Sequence, residues 1–147
     1  MSGRSVADEE IDYFLGIRYA APPTGDLRFQ APQSPLKQEN LIQADVSASN
    51  CPQANHSHPS YTTHYRGDED CLFLNVFKPT YIEEGTLLPV MVYIRNSLPV
   101  VQSKVIADEG GYSTGGIDDH DPTSLIQLSN YSMVTVTFQY RVRPSHI

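Results

Sequence analysis

The distribution of apolar and polar positions predicts four short β-strands and few helices. Residues 13–17 are mostly apolar, and residues 71–77 are apolar on both faces, which indicates a strand covered on each side. Residues 89–94 form a near-continuous apolar run, the pattern of a strand inside a parallel sheet. Residues 133–140 alternate apolar residues with threonine and predict a further strand.

One helix is predicted between the last two of these strands. Asp121 suits the N-cap and Pro122 the first helical position. The apolar side of this helix would consist of Leu125, Ile126 and Leu128. The succession strand, helix, strand predicts a β-α-β unit with parallel pairing, and so an α/β fold.

Composition and charge exclude two classes of protein. The 147 residues are the length of one domain, and 11 prolines and 9 glycines favour turns over long helices. The net charge is −7 and the basic residues are scattered, so no nucleic-acid partner is expected. No apolar run approaches the roughly 20 residues of a membrane span, so we expect no transmembrane segment.

Signals for the cellular compartment disagree. The chain has two cysteines, Cys51 and Cys71, and two sequons, at residues 55–57 and 130–132. An even cysteine count with sequons is typical of a secreted protein. The polar, acidic start of the chain at residues 1–10 contains no visible signal peptide, however, so the sequence assigns no compartment.

Five stretches of the chain form a recognisable set of motifs. They are FLGIRYAAPP at residues 14–23, LRF at 27–29, EDCLFLNV at 69–76, LPVMVYI at 88–94 and the strand at 134–141. In this order and at this spacing they resemble the carboxylesterase type B family, which includes the cholinesterases and many lipases. In the first stretch, Arg18 stands where the family usually has proline. The resemblance covers residues 13–141.

The resemblance implies an α/β-hydrolase fold, a twisted and mostly parallel sheet with helices on both faces. Family members are much longer than this chain, so residues 1–147 would form an incomplete domain containing the N-terminal strands only. We expect residues 133–140 to lie next to a missing neighbour. They would then form a long apolar edge that promotes aggregation.

The resemblance also implies a chemistry, the hydrolysis of small carboxylic esters without a cofactor or metal. A serine on a G-x-S-x-G turn attacks the carbonyl, a histidine and an acid assist it, and backbone N–H groups bind the oxyanion. In the family this serine follows a strand beyond residues 134–141. We therefore expect no catalytic residue in this chain, which would be an inactive member of an ester hydrolase lineage.

Residues 111–115, GYSTG, match the G-x-S-x-G pattern literally. No strand pattern precedes them and no helix start follows, whereas the nucleophile turn requires both. We interpret them as a glycine-rich loop. A small hydrolase that uses Ser113, and a non-catalytic adhesion-type relative of the same fold, are the alternatives.

The oxyanion loop of the family, H-G-G-G followed by an aromatic residue, is altered here. No glycine follows Ile94 until Gly110. We prefer an alignment in which residues 95–108 are an insertion and Gly110 and Gly111 are the remnant of the oxyanion-hole glycines.

For the two cysteines the resemblance implies a disulfide between Cys51 and Cys71. Free thiols are one alternative. A metal site that adds His56, His58 and His64 is another, although its spacing fits no common zinc pattern.

Arg28 and Glu69 are charged residues within the family motifs. The resemblance implies a buried structural ion pair that ties the N-terminal segment to the EDCL strand. Two solvated surface charges are the alternative.

Overall fold

The computed structural model describes residues 1–6, 9–52, 67–94, 117 and 121–141. Its strands form one six-stranded sheet in the order β3-β1-β2-β4-β6-β5. The strands are β1 (Ser2–Val6), β2 (Ile11–Arg18), β3 (Gln43–Ala44), β4 (Phe73–Pro79), β5 (Val90–Tyr93) and β6 (Val134–Phe138), with one α-helix, α1 (Thr123–Leu128), and a 3₁₀ turn at Gly25–Leu27.

The sheet is mixed, where the resemblance led us to expect mostly parallel pairing. Strands β1 and β2, β2 and β4, and β4 and β6 pair antiparallel, while β1 pairs parallel with β3 and β5 with β6. Only residues 7–10 join β1 to β2, a connection too short for the crossover that parallel neighbours need. The long connection between β5 and β6 contains α1, and this pair has the predicted parallel β-α-β arrangement.

The prediction that residues 133–140 form the edge is wrong. Strand β6 lies in the interior, between β4 and β5, and β5 is the edge strand. The connection after β5 returns the chain to the inner side of β5 and places β6 between β4 and β5. The order of the strands in the sheet therefore differs from their order in the sequence. Val90 and Val92 on β5 are 58% and 52% exposed, so the prediction that residues 89–94 form a strand inside the sheet is also wrong.

The pairing of strand β2 is irregular at Gly16, which belongs to the FLGIRYAAPP stretch at residues 14–23. Its register against β4 shifts between Phe14 and Ile17. Gly16, which lies between them, has φ +67°, and a Cβ there would come within 2.5 Å of the Val46 carbonyl oxygen. The Gly16 N–H donates to the side-chain oxygen of fully buried Asn75 at 2.9 Å. The glycine is therefore required by both conformation and space.

Helix α1 begins at Thr123, one residue later than predicted, and Pro122 occupies the N-cap position that was predicted for Asp121. The Asp121 carboxylate still accepts a hydrogen bond from the Thr123 N–H at 2.9 Å. A shift of one residue is within the usual spread of helix boundaries.

The helix buries a narrower apolar face than predicted. Ile126 is fully buried and packs with Ile11 and Phe77 in one core cluster, but Leu125 and Leu128 are exposed. The rings of Tyr13 and Phe77 meet edge to face at 5.3 Å within this region. Two residues anchor α1 to the sheet: Ile126, and Thr123, which is buried and whose hydroxyl lies 3.1 Å from that of Tyr13.

Candidate functional site

Parallel pairing brings the carboxyl ends of β5 and β6 to one edge of the sheet, formed by Ile94 and Gln139. We call this the carboxyl edge. Val90 lies opposite Val134, and Tyr93 lies opposite Thr137, so the two strands end side by side. Binding and reacting groups of open α/β sheets lie beyond the carboxyl ends of the strands. The carboxyl edge is therefore the candidate functional site.

Asn50 organises the carboxyl edge. Its side-chain oxygen accepts hydrogen bonds from the Gln139 side-chain amide at 2.6 Å and from the Ile117 N–H at 3.2 Å. Gln139 and Ile117 are both buried. The Gln139 carbonyl accepts a hydrogen bond from the Tyr19 hydroxyl. This junction joins the segment after β5, the end of β6 and the chain leaving β2.

The sequence pattern did not indicate this junction. Gln139 continues the polar positions of the alternating strand after Thr135 and Thr137, so its residue type gives no signal of the junction. Asn50 stands in a polar stretch, where nothing distinguishes it from a solvated residue. The partners are far apart in the sequence, so only the fold brings them together.

The disulfide implied by the resemblance is confirmed. Cys51 and Cys71 are joined, with their Cα atoms 4.9 Å apart, and both are buried beside Ala20 and Leu72. The bond excludes two free thiols. It also removes the cysteines from the alternative metal site, and the described residues contain no group of three or more metal-ligating side chains.

The three histidines of that alternative site lie outside the described residues. They are His56, His58 and His64.

A close backbone approach supports the disulfide. Gly67 has φ +119°, and a Cβ there would meet the carbonyl oxygens of Asn50 and Cys51 at 2.5 Å. The adjacent Asp68 N–H donates to the Asn50 carbonyl at 2.8 Å. Both ends of the segment between the cysteines are thus held together by backbone contacts, which also hold Asn50 in place.

Arg28 and Glu69 form an ion pair, but at the surface. The guanidinium donates to the carboxylate at 2.7 Å, and the two side chains are 50% and 42% exposed. The hydrogen bond from Arg28 to Glu69 raises the pKa of the guanidinium. The burial implied by the resemblance is therefore absent, because Arg28 follows the exposed turn Gly25–Leu27.

The next residue along, Asp70, makes a second ion pair with Arg18. Two hydrogen bonds of 2.6 and 2.7 Å join the guanidinium to the carboxylate, and the guanidinium also lies 4.4 Å above the Phe73 ring. The hydrogen bonds to Asp70 raise the pKa of Arg18. The sequence marks Arg18 only as a departure from the proline of the related motif and does not predict the ion pair.

The remaining sequence predictions for the site lie outside the described residues. These are the insertion at residues 95–108, the glycines Gly110 and Gly111, and the serine Ser113. Within the described part of the chain, no helix has the length and apolar character needed to cross a membrane.

Comparison with known proteins gives concordant results. The model of the carboxylesterase family matches residues 1–144. Carboxylesterase 5A of Mus musculus is 34% identical over 142 residues, which are 91% of this chain and 22% of the relative. Para-nitrobenzyl esterase of Bacillus subtilis is 39% identical over 92 residues, 62% of this chain and 18% of that protein.

Solved structures agree in fold. The crystal structure of Aspergillus niger EstA matches with a TM-score of 0.70 and 36% identity, over 92% of this chain and 23% of its own. A PNB esterase structure matches with a TM-score of 0.73 and 31% identity, over 97% of this chain and 26% of its own. The chain thus spans about a quarter or less of the length of these relatives, and it belongs to the carboxylesterase family and has an α/β-hydrolase fold.

Proposed function

We propose that this chain supplies the N-terminal strands of a carboxylic ester hydrolase that uses a serine nucleophile, and that the 147 residues alone do not hydrolyse esters. The carboxyl edge carries the first part of the proposal. Two parallel strands end there side by side, and the Asn50 junction fixes the chain around them. This arrangement suits a sheet edge that positions catalytic loops.

The second part rests on the sequence. A nucleophilic serine needs a strand that turns sharply into a helix, so that its hydroxyl is exposed beside the oxyanion site. The one G-x-S-x-G match, around Ser113, follows the polar residues 107–110 and precedes the acidic residues 118–119. The residues themselves therefore lack the flanking pattern that activates such a serine.

We further propose that residues 95–108 interrupt the oxyanion loop. The loop should leave β5 at once, so that its N–H groups face the reacting carbonyl. Ile117 is buried and bound at the carboxyl edge, and it follows Gly111 by only a few residues. Its position supports an alignment in which Gly110 and Gly111 belong near this edge and residues 95–108 are the added segment.

The proposed substrate is a small carboxylic ester, and we propose no narrower substrate class. Relatives with about 31% to 37% identity carry names as different as pyrethroid hydrolase, juvenile hormone esterase and fatty acyl-CoA hydrolase. Such a range shows that this region of the chain is shared among relatives with unlike substrates. Selectivity must then depend on residues that differ elsewhere among those proteins.

Two measurements test the proposal. First, the oxidised 147-residue chain is assayed with a p-nitrophenyl ester and labelled with a fluorophosphonate probe. We expect neither turnover nor labelling above the background of heat-denatured protein. Turnover that Ser113→Ala abolishes would overturn the claim of inactivity and favour a small hydrolase.

Second, the chain without residues 95–108 is joined to the C-terminal remainder of the Bacillus subtilis para-nitrobenzyl esterase. We expect this fusion to hydrolyse the p-nitrophenyl ester. A folded, monomeric fusion without activity would contradict the assignment to a catalytic lineage and favour the non-catalytic, adhesion-type alternative.

A further inference from the structure

The sequon at residues 130–132 forms a well-defined helix C-terminus. The Asn130 N–H donates to the Gln127 carbonyl at 2.9 Å, and the Tyr131 N–H donates to the Ile126 carbonyl at 3.0 Å. Asn130 and Tyr131 have φ +55° and +56°, and Tyr131 packs against the core cluster that contains Ile126. The two hydrogen bonds, the left-handed conformation of Asn130 and the apolar contact constitute a Schellman motif that ends α1.

The side chains of this turn differ in their exposure to solvent. Tyr131 is half-buried against the core, whereas Asn130 and Ser132 are exposed. Glycine is the usual residue at the left-handed position of a Schellman motif, because it has no Cβ to strain the backbone. Asparagine is tolerated there, and unlike glycine it presents an exposed side-chain amide to solvent.

The turn lies far from the candidate functional site. It precedes the amino end of β6, while the carboxyl edge lies beyond the other end of that strand. A strand of five residues is roughly 16 Å long at 3.3 Å per residue. A bulky group on Asn130 would therefore extend away from the loops that emerge at the carboxyl edge.

A second observation agrees with this position. Disulfides such as Cys51–Cys71 are typical of oxidising environments, which include the secretory compartments where N-glycosylation takes place. An exposed sequon on a surface turn and a buried disulfide are two features expected of a chain that enters that pathway.

We propose that Asn130 is an N-glycosylation site. In this reaction the Asn130 side-chain nitrogen attacks the first sugar of a lipid-linked oligosaccharide and forms an N-glycosidic bond. The bond from that sugar to the lipid pyrophosphate breaks, the amide loses one proton, and the lipid pyrophosphate leaves. The Ser132 hydroxyl completes the recognised sequon.

The test uses the full chain, directed into microsomes by a cleavable signal sequence. A C-terminal tag with its own unstructured sequon reports translocation, and only molecules glycosylated on the tag are scored. Asn55→Gln is present throughout, so that the second sequon of the chain does not contribute. We expect one further glycan, seen as a mass step that an endoglycosidase removes without denaturant.

Three variants distinguish glycosylation from the structural role of the turn. Asn130→Gly removes the acceptor and keeps the Schellman motif, so the mass step should disappear while the chain stays folded. Ser132→Ala should abolish the step, and Ser132→Thr should keep it. Absence of the step in the parent chain, or its persistence in Asn130→Gly, would overturn the proposal.

Discussion

Arg18 binds Asp70 through two parallel hydrogen bonds of 2.6 and 2.7 Å, next to the Cys51–Cys71 disulfide. The same guanidinium lies over the Phe73 ring at 4.4 Å. Proline, the residue that the related motif usually has at this position, could make neither contact. The ion pair thus adds a link between the end of β2 and the disulfide region.

Replacing Arg18 with lysine should destabilise the fold even though the charge is kept. Lysine cannot form the two-pronged hydrogen bond or stack its head group in the same way. We expect Arg18→Ala to lower the free energy of unfolding by about 1 kcal/mol. Arg18→Lys should lower it by most of the same amount. Urea unfolding followed by circular dichroism measures both.

Arg28→Ala is the matched control for that series. It also breaks an ion pair with a neighbouring carboxylate, but this pair is about half exposed and makes one hydrogen bond. The shift of its unfolding midpoint should be smaller than that of Arg18→Ala. An Arg18→Lys variant as stable as the parent chain would contradict the role given to the two-pronged contact.

Breaking the disulfide should cost more than breaking either ion pair. The bond closes a loop across a sequence separation of 20, for which the chain-entropy estimate is about 3 kcal/mol. We expect reductant to lower the urea midpoint of the parent chain but to have no effect on the Cys51→Ala, Cys71→Ala double variant. Two free thiols on titration of native, oxidised protein would disprove the bond.

The ionised Asp12 carboxylate should stabilise the fold, and this stabilisation should be lost at acidic pH. Partial burial raises the pKa of this carboxyl, but hydrogen bonds from Lys78, Thr80 and Ser5 lower it more, so that it lies below the ordinary 3.8. A depressed folded-state pKa stabilises the fold above pH 3.8, and this stabilisation is lost as the pH falls through the folded-state value.

Asp12→Asn should therefore be less stable than the parent chain at neutral pH, and the difference should shrink as the pH falls below 3.8. Urea midpoints from neutral to strongly acidic pH measure it. Asp26→Asn, on the exposed 3₁₀ turn, controls for the loss of one negative charge. A constant difference across the whole range would show that the Asp12 contacts do not depend on its ionisation.

The exposed edge of β5 should promote self-association. Its outer side has no strand partner within the described part of the sheet, and an unpaired apolar edge is a template for further strands. We expect Val92→Lys to raise the monomer fraction in analytical ultracentrifugation. Leu128→Lys adds the same charge on α1, at a residue that is 83% exposed, and should not do so.

Residues 95–108 should disable the oxyanion hole of an otherwise complete enzyme. Two fusions to the C-terminal remainder of the Bacillus subtilis para-nitrobenzyl esterase are compared, one with the segment and one without. Loss of one oxyanion donor typically lowers kcat by about 10²–10³-fold, so we expect at least that difference. Equal rates would show that the segment is tolerated and that Gly110 and Gly111 were misaligned.

Local patterns in the sequence were sufficient for some features. Strand β4 with apolar residues on both faces, the alternating strand β6 and the Asp121 hydrogen bond at the start of α1 all follow from interactions between residues close in the chain. Such patterns report which backbone conformation a segment prefers and which of its faces is apolar. The motifs then identified the family, and with it the disulfide between Cys51 and Cys71.

Tertiary structure decided the features that depend on partners distant in the sequence. The crossover between β5 and β6 put β6 in the interior of the sheet, so the edge that we had assigned to residues 133–140 belongs to β5. The Asn50 junction joins residues from three separate segments. Burial of a charged pair is likewise a property of the assembled surface. For that reason the sequence could pair Arg28 with Glu69 but could not place the pair in solvent.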